Sequence, residues 1–306
     1  MSTFVLLTIT GLGLSALYFL IASGLSLIYG LMGVLNFAHG AFITFGAYSA
    51  WWITTHVETS AEAELLLAAG FGLVAGAALA ALVEFVFIRP LYRRPIEQVL
   101  VTVGLALALG ALVLGIWGAD PKLFPDRPGE PLGLPAWVGD TTTIFGANIP
   151  NDRFVEIAVA LVVLGGLTAF LRFTRVGLII RAGVENRAMV TALGIDVRRA
   201  FTFVFALGGA LAALAGVLSG VYFGTVDPAR GTSLLIFAFI VVVIGGFGSI
   251  EGSAVAAVAV GLVQQYANYY AADWLDWSGA GDVAVMLLLA SVLLLRPEGL
   301  APKVAH

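Results

Sequence analysis

The sequence predicts an all-α, polytopic membrane protein with eight or nine apolar segments, broken or re-entrant helices among them, in one transmembrane domain over residues 1–306. Three observations carry this. The 306 residues are 60% hydrophobic and 11% charged, whereas soluble domains carry about 25% charged residues. Apolar stretches near the ~20 residues that a span requires recur along the chain. Lysine and arginine collect in alternate connecting loops, as they do on the cytoplasmic side of membrane proteins.

Residues 4–22 make the first span. The N-terminus lacks a basic leader region, so it reads as a retained span rather than a cleaved signal. Residues 24–48, GLSLIYGLMGVLNFAHGAFITFGAY, are apolar but interrupted within 36–40 by Asn36, His39 and Gly40. Asn and Gly favour non-helical backbone, and unpaired polar groups are costly in lipid. Two readings stand. One is a broken helix whose freed backbone groups face a cavity, as in transporters. The other is a surface turn, with Asn36 as the N-cap of a helix from Phe37 onward.

Trp51 and Trp52 suit the headgroup boundary, and residues 54–64 form a loop with three Glu and no Lys or Arg. Residues 65–88 are the cleanest span, with Gly72 and Gly76 making a GxxxG face for close packing. The basic turn RPLYRRP, 89–95, leads to a span over 96–117. Residues 119–153 are rich in Pro, Gly, Asp and Thr and read as an extramembrane loop with a hairpin around 139–148. After a span over 154–171, residues 172–199 hold six arginines. Residues 200–221 span again, and 224–233 form a short loop. The 14 apolar residues of 234–247 end in GGFGSIEGS, which is short for a span and suggests a re-entrant or tilted segment. Residues 253–270, an acidic loop over 271–282 and a last apolar segment over 283–295 complete the chain.

The basic loops 89–94, 172–199 and 296–303 are assigned to the cytoplasm, and the acidic loops 54–64, 119–153, 224–233 and 271–282 to the outside. No basic residue lies in the first 53, which leaves the side of the N-terminus open.

The sequence has no GxxxxGK[ST] phosphate loop, no nucleophile elbow, no HExxH and no cysteine, and its three His (39, 56 and 306) are dispersed. Catalysis by this chain is not expected, and no cofactor or metal is expected on it. Glu84, Glu97 and Glu156 lie close to loops, Glu84 and Glu97 within reach of Arg89, Arg93 or Arg94. A proton-coupled carrier places acidic or His chains in the membrane. Only His39 answers here, which argues against ion coupling, although carbonyls alone can hold sodium.

Residues 181–196, RAGVENRAMVTALGID, predict a short amphipathic helix: Val184, Ala188 and Ala192 share a face, Glu185, Asn186 and Arg187 form a polar cluster, and Gly194 closes it. It is either a connector lying on anionic headgroups or a docking helix for a cytosolic partner.

Four segments together resemble a known family: LSLIYGLMGVLNFAHGAFITFGAY, FIRPLYRRP, FTRVGLIIRAGVENRAMVTALGIDVRRAFTFVFALGGALAALAGVL and VVVIGGFGSIEGS. From about Ser15 to Gly299 the chain is similar to the LivH-like transmembrane permease subunit of bacterial branched-chain amino acid ABC importers. NFAHG, RxGxExxxxxxxLGI and IGGFGSIEG in that order are specific; each alone is weak. The resemblance implies a multi-pass protein of the bacterial inner membrane. It also implies a second, LivM-like permease, two cytosolic ATP-binding subunits carrying ATP and Mg, and an extracytoplasmic solute-binding protein; no nucleic acid is involved.

By the same resemblance, residues 183–194 meet the ATPase, which makes Arg181, Glu185, Arg187, Gly194 and Asp196 the coupling candidates. Ala188, Met189 and Val190 stand where other ABC permeases have Glu-Ala-Ala. Phe237-Ala238-Phe239-Ile240 replaces a Lys followed by Ala-Phe-Thr in many members, and Glu251 replaces Pro or Arg. These departures leave the solute open among branched-chain amino acids, urea, amides and aromatic or aliphatic carboxylates. The candidate path residues are Asn36, Phe37, His39 and Gly40 at the first break, and Phe237, Phe239, Gly245 and Gly246 at the second. The phenyl rings would form an apolar wall, and Asn36 and His39 would satisfy freed backbone groups or act only as helix caps. The rival function is a stand-alone secondary carrier or channel that uses the same broken helix.

Overall fold

A computed structural model describes residues 2–301 except 34, 93, 125, 128–129, 132–133, 186, 193, 195–196 and 278. Helix α1 (Ser2–Met32) runs unbroken well past residue 22, where the sequence reading ended the first span. The reason is packing. Gly24 is a contact point rather than a breaker, because a Cβ there would lie 2.6 Å from the Gly208 carbonyl oxygen. Between α1 and the next helix, Gly33, with φ +69, and residues 35–38 are the described residues outside an α-helix. Helix α2 (His39–His56) follows, then α3 (Ala61–Val83), whose first turn is capped by Ser60. A π-helical turn, Glu84–Ile88, and a 3₁₀ turn, Arg89–Leu91, lead to α4 (Pro95–Trp117).

The loop before α6 (Asp152–Phe173) holds a short helix, α5 (Ala136–Gly139), and an antiparallel hairpin pairing Thr141–Ile144 with Ala147–Pro150. Phe145 (φ 50) and Gly146 (φ 78) turn the hairpin, the two positive dihedrals of a type I′ connection. Lys122 and Leu123 pair with Val226 and Thr225, and Phe124 is wholly buried against Gly220, so this loop is seated on the bundle. The arginine-rich stretch is helical on both sides of residue 186, in α7 (Arg175–Glu185) and α8 (Arg187–Ala192). Then come α9 (Val197–Phe223), α10 (Arg230–Gly245), α11 (Ile250–Leu275) and α12 (Ala280–Leu295).

Among the described residues, α1, α3 with its following turns, α4, α6 and α9 are long and apolar enough to cross a membrane. The α10–α11 pair, bent by 119°, makes a sixth if counted as one span. The architecture is therefore all-α and polytopic, with five or six such spans and a shorter apolar helix, α12, among the described residues.

Glycines let three helices meet backbone to backbone. A Cβ on Gly76 of α3 would stand 2.6 Å from the Gly209 oxygen on α9, and one on Gly72 2.7 Å from Val217. The predicted GxxxG face is thus the α3–α9 seam. Helix α1 touches α11 at Gly11, beside Leu262, and α9 at Gly24. By contrast α4 turns only Gln98, Thr102 and Val113 fully inward among its described residues, and most of its length is exposed.

The helix ends sort into a basic face, holding residues 89–94, 172–199 and 296, and an acidic face with the other loops. Thr8 Oγ1 lies 2.8 Å from Tyr266 Oη near the outer end of α11, while Leu31 abuts Gly183 of α7. The N-terminal end of α1 therefore sits at the acidic face, which the charge pattern had left open.

Candidate functional site

The first break is held by its own side chain. Asn36 Oδ1 accepts from Ala38 N–H at 3.1 Å, and the Asn36 carbonyl accepts from His39 N–H at 3.2 Å. The helix starts at His39 rather than Phe37, two residues later than the capping reading supposed, so Asn36 stabilises the turn ahead of the cap position. His39 is fully buried, and its Nε2 donates to the Ile21 carbonyl of α1 at 3.2 Å. Ile21 lies well inside α1, so the break runs from an exposed Gly33 next to the basic end of α1 back into the bundle at His39. Asn36 Nδ2 and His39 Nδ1 have no hydrogen-bond partner among the described residues.

The aromatic candidates face differently. Phe37 is half-buried and packs on Phe239 of α10 with ring centroids 5.2 Å apart. Phe237, turned to another side of α10, stacks on Tyr18 of α1 at 5.1 Å. Thr232, Ile236, Phe239 and Val243 follow the helical period along one partly exposed stripe of α10. Phe247 extends it and meets Tyr29 at 4.3 Å. Phe37 and Phe239 thus belong to a partly exposed apolar strip, whereas Asn36 and His39 point inward. Gly40 lets α2 and α10 start in contact, since a Cβ there would lie 2.9 Å from the Gly231 oxygen.

Gly245 and Gly246 lie elsewhere. They form the α10–α11 turn at the basic face, Gly246 in the left-handed region at φ +95. The chain after α12 crosses this turn: Leu300 N–H donates to the Ile244 carbonyl at 2.8 Å and Ala301 N–H to Gly245 at 3.2 Å. The two breaks therefore approach each other at the basic end, where Tyr29 meets Phe247, and are also joined along α10, where Phe37 packs on Phe239.

Of the coupling candidates, Arg181 lies in α7 with its side chain exposed, Glu185 ends α7 and Arg187 opens α8. Gly194 is left-handed at φ +77. Asp196 lies outside the described residues.

Several polar groups escaped sequence reasoning. A small cleft beside Asn36 is lined by Ile28, Met32, Leu35, Gln98, Thr102 and Phe205. Gln98 and Thr102 were read as part of an ordinary span. Tyr18 Oη donates to Gln264, which donates to Asp282 at 2.7 Å. Near the acidic face, Arg153 lies over the Tyr222 ring at 3.4 Å, 3.2 Å from Asp152 and 3.6 Å from the fully buried Glu156. Glu97 pairs with Arg94 at 3.1 Å as expected. Glu84 corrects the expectation of a surface pair: it is fully buried and accepts from Tyr92 Oη and, at 2.7 Å, from Thr202 Oγ1. A helical-period count could have found it, since Glu84 falls on the Gly72–Gly76–Ala80 face. Among the described residues no group of three or more His, Cys, Asp or Glu could hold a metal ion.

A family model described as branched-chain amino acid transport system / permease component matches residues 7–295. The chain belongs to this family. It is similar to the high-affinity branched-chain amino acid transport system permease protein LivH of Salmonella typhimurium strain LT2, 30% identical over 302 residues, covering 95% of this chain and 92% of that one. The corresponding permease protein BraD of Pseudomonas aeruginosa is 30% identical over 298 residues, covering 95% and 94%. Similarity extends to LivM of Escherichia coli K12, 27% identical over 312 residues, covering 94% of this chain and 68% of that one. As a family permease, this chain carries its similarity through the broken segment, the arginine-rich segment and the α10–α11 turn alike.

Proposed function

We propose that this chain is the membrane-spanning permease subunit of an ATP-driven importer for branched-chain amino acids or related small amides and carboxylates, forming half of the translocation path. The observation that carries the proposal is the half-exposed strip of Phe37, Ile236, Phe239, Val243 and Phe247, alongside a helix break that runs into the bundle, in a chain whose family match runs nearly end to end. Such a strip is completed by a second wall, and a LivM-like permease fits, because this chain resembles both LivH and LivM. Apolar side chains gain ~25 cal/mol per Å² withdrawn from water, so the wall favours solutes with an aliphatic or aromatic arm.

In this reading residues 1–306 are one permease domain, and α2, α10, α11 and α12 lie in the bilayer with the five long helices, nine apolar segments in all. The basic face is cytoplasmic in a bacterial inner membrane, and residues 172–199 meet two ATP-binding subunits that carry ATP and Mg. An external solute-binding protein delivers solute to the acidic face, where the seated loop 119–153 lies. Asn36 and His39 hold the break, and Asn36 also lines the small cleft beside it.

The test is purification and reconstitution. Co-isolation with two P-loop ATPase chains and a second permease, with ATP-dependent uptake in proteoliposomes, is expected. Transport by this chain alone without ATP would instead make it a secondary carrier or channel.

A further inference from the structure

We propose that Glu84 is a positioning residue of the coupling mechanism, fastening the root of α9, and with it the ATPase-facing α7–α8 segment, to α3 and the α3–α4 turn. The proposal rests on the reading of residues 172–199 as ATPase-facing. Glu84 is fully buried, and a buried carboxylate is retained at a cost unless hydrogen bonds satisfy it. Here two hydroxyls do so, and they come from two different elements. Tyr92 belongs to the turn before α4, and Thr202 lies in the second turn of α9, soon after α8 ends. The Tyr92 ring also stands edge-on to Phe201 at 4.8 Å, so the same two elements meet through apolar contact.

The backbone at Glu84 is itself unusual. The π-helical turn Glu84–Ile88 starts at this residue, and single π turns concentrate where helices carry function. Above it α3 and α9 touch backbone to backbone at Gly76 and Gly209, which leaves no slack along the seam. Any displacement of the α9 root is thereby delivered to α3 and to the 89–94 turn as one movement, and Glu84 is the polar joint where that transfer begins. A merely structural carboxylate would stabilise the fold without affecting how ATP hydrolysis is linked to solute.

The experiment uses the assembled importer with its binding protein and reads solute-stimulated over basal ATPase, together with the melting midpoint of the complex. The wild-type complex must first show stimulation; its absence counts against the importer reading and not against Glu84. Glu84→Gln removes the carboxylate's charge and turns one acceptor oxygen into a donor, and Thr202→Val removes one donor hydroxyl. Each should lower the stimulation ratio about tenfold. Thr202→Ser, which keeps the hydroxyl, should restore both the ratio and the melting midpoint that Thr202→Val lowers. A lowered midpoint with an unchanged ratio overturns the proposal, as does no change in either. Failure of both Glu84→Gln and Thr202→Val to assemble also overturns it, because the contact is then structural only.

Discussion

Replacing Gly76 with Ala tests whether the α3–α9 seam is as tight as its backbone contact implies. The added Cβ would stand 2.6 Å from the Gly209 carbonyl oxygen, and that oxygen belongs to helical backbone that cannot rotate away. The two helices must part until the distance reaches ordinary contact, about 3.4 Å. A gap of that size forfeits a quarter to a half of the dispersion energy along the neighbouring contacts, and forced overpacking costs ~1–3 kcal/mol. Gly70, on the same helix, supplies the control. Nothing lies within 4 Å of its Cβ position, so Gly70→Ala should be neutral or favourable by up to ~1 kcal/mol from helix propensity. The two variants should therefore differ by about 2 kcal/mol, roughly 5 °C in melting midpoint at about 2–4 °C per kcal/mol. Detergent-solubilised protein monitored by fluorescence-detected size exclusion after heating would measure it. Equal midpoints for Gly76→Ala and Gly70→Ala would refute the reasoning, since a seam that absorbs a methyl group is not in backbone contact.

Further outcomes follow from the site. Asn36→Ala should lower the melting midpoint by about 1 kcal/mol equivalent, and Asn36→Ser, which keeps an acceptor for Ala38 N–H, should retain most of it; equal stability of the two would deny Asn36 its role in the turn. Phe239→Ala, on the half-exposed strip, should slow uptake in proteoliposomes while complex yield stays unchanged, and unaltered uptake would remove the strip from the path. Paired replacement of Glu185 and Arg187 by Ala should leave binding-protein docking intact, as measured by pull-down, and abolish solute stimulation of ATPase. Unchanged stimulation would return this segment to the lipid surface.

The helical, polytopic class and most connections were legible because lipid imposes long apolar runs and charge sorts the loops. The hairpin before α6 lies within two residues of its expected place, since Gly146 supplies the left-handed dihedral that the turn requires. The first span was ended at residue 22, ten residues short of the end of α1 at Met32, because apolar sequence continues to Leu35 with nothing to mark where the helix stops. Within the site, the NFAHG break was visible from its residue types. The opposite facing of Phe37 and His39 was not, as it depends on which neighbour each meets, Phe239 in one case and the Ile21 carbonyl in the other. Glu84 was misjudged for a related reason: proximity to arginines in sequence outweighed its helical phase, which directs it to Thr202, a residue 118 positions away.

The two glycine contacts of α1 have a consequence for how this chain can change over evolutionary time. Gly11 faces α11 and Gly24 faces α9, and at 3.6 residues per turn these positions lie about 220° apart around the axis. The helix works as a dowel with notches cut on two sides at a fixed angular offset. A point substitution elsewhere on it leaves both notches aligned. A one-residue insertion or deletion between them turns one notch by about 100° and drives a side chain into the Gly208 or Leu262 backbone. Length variation in this chain therefore belongs to its loops, and residues 11–24 should tolerate exchange of letters but never a change in their number.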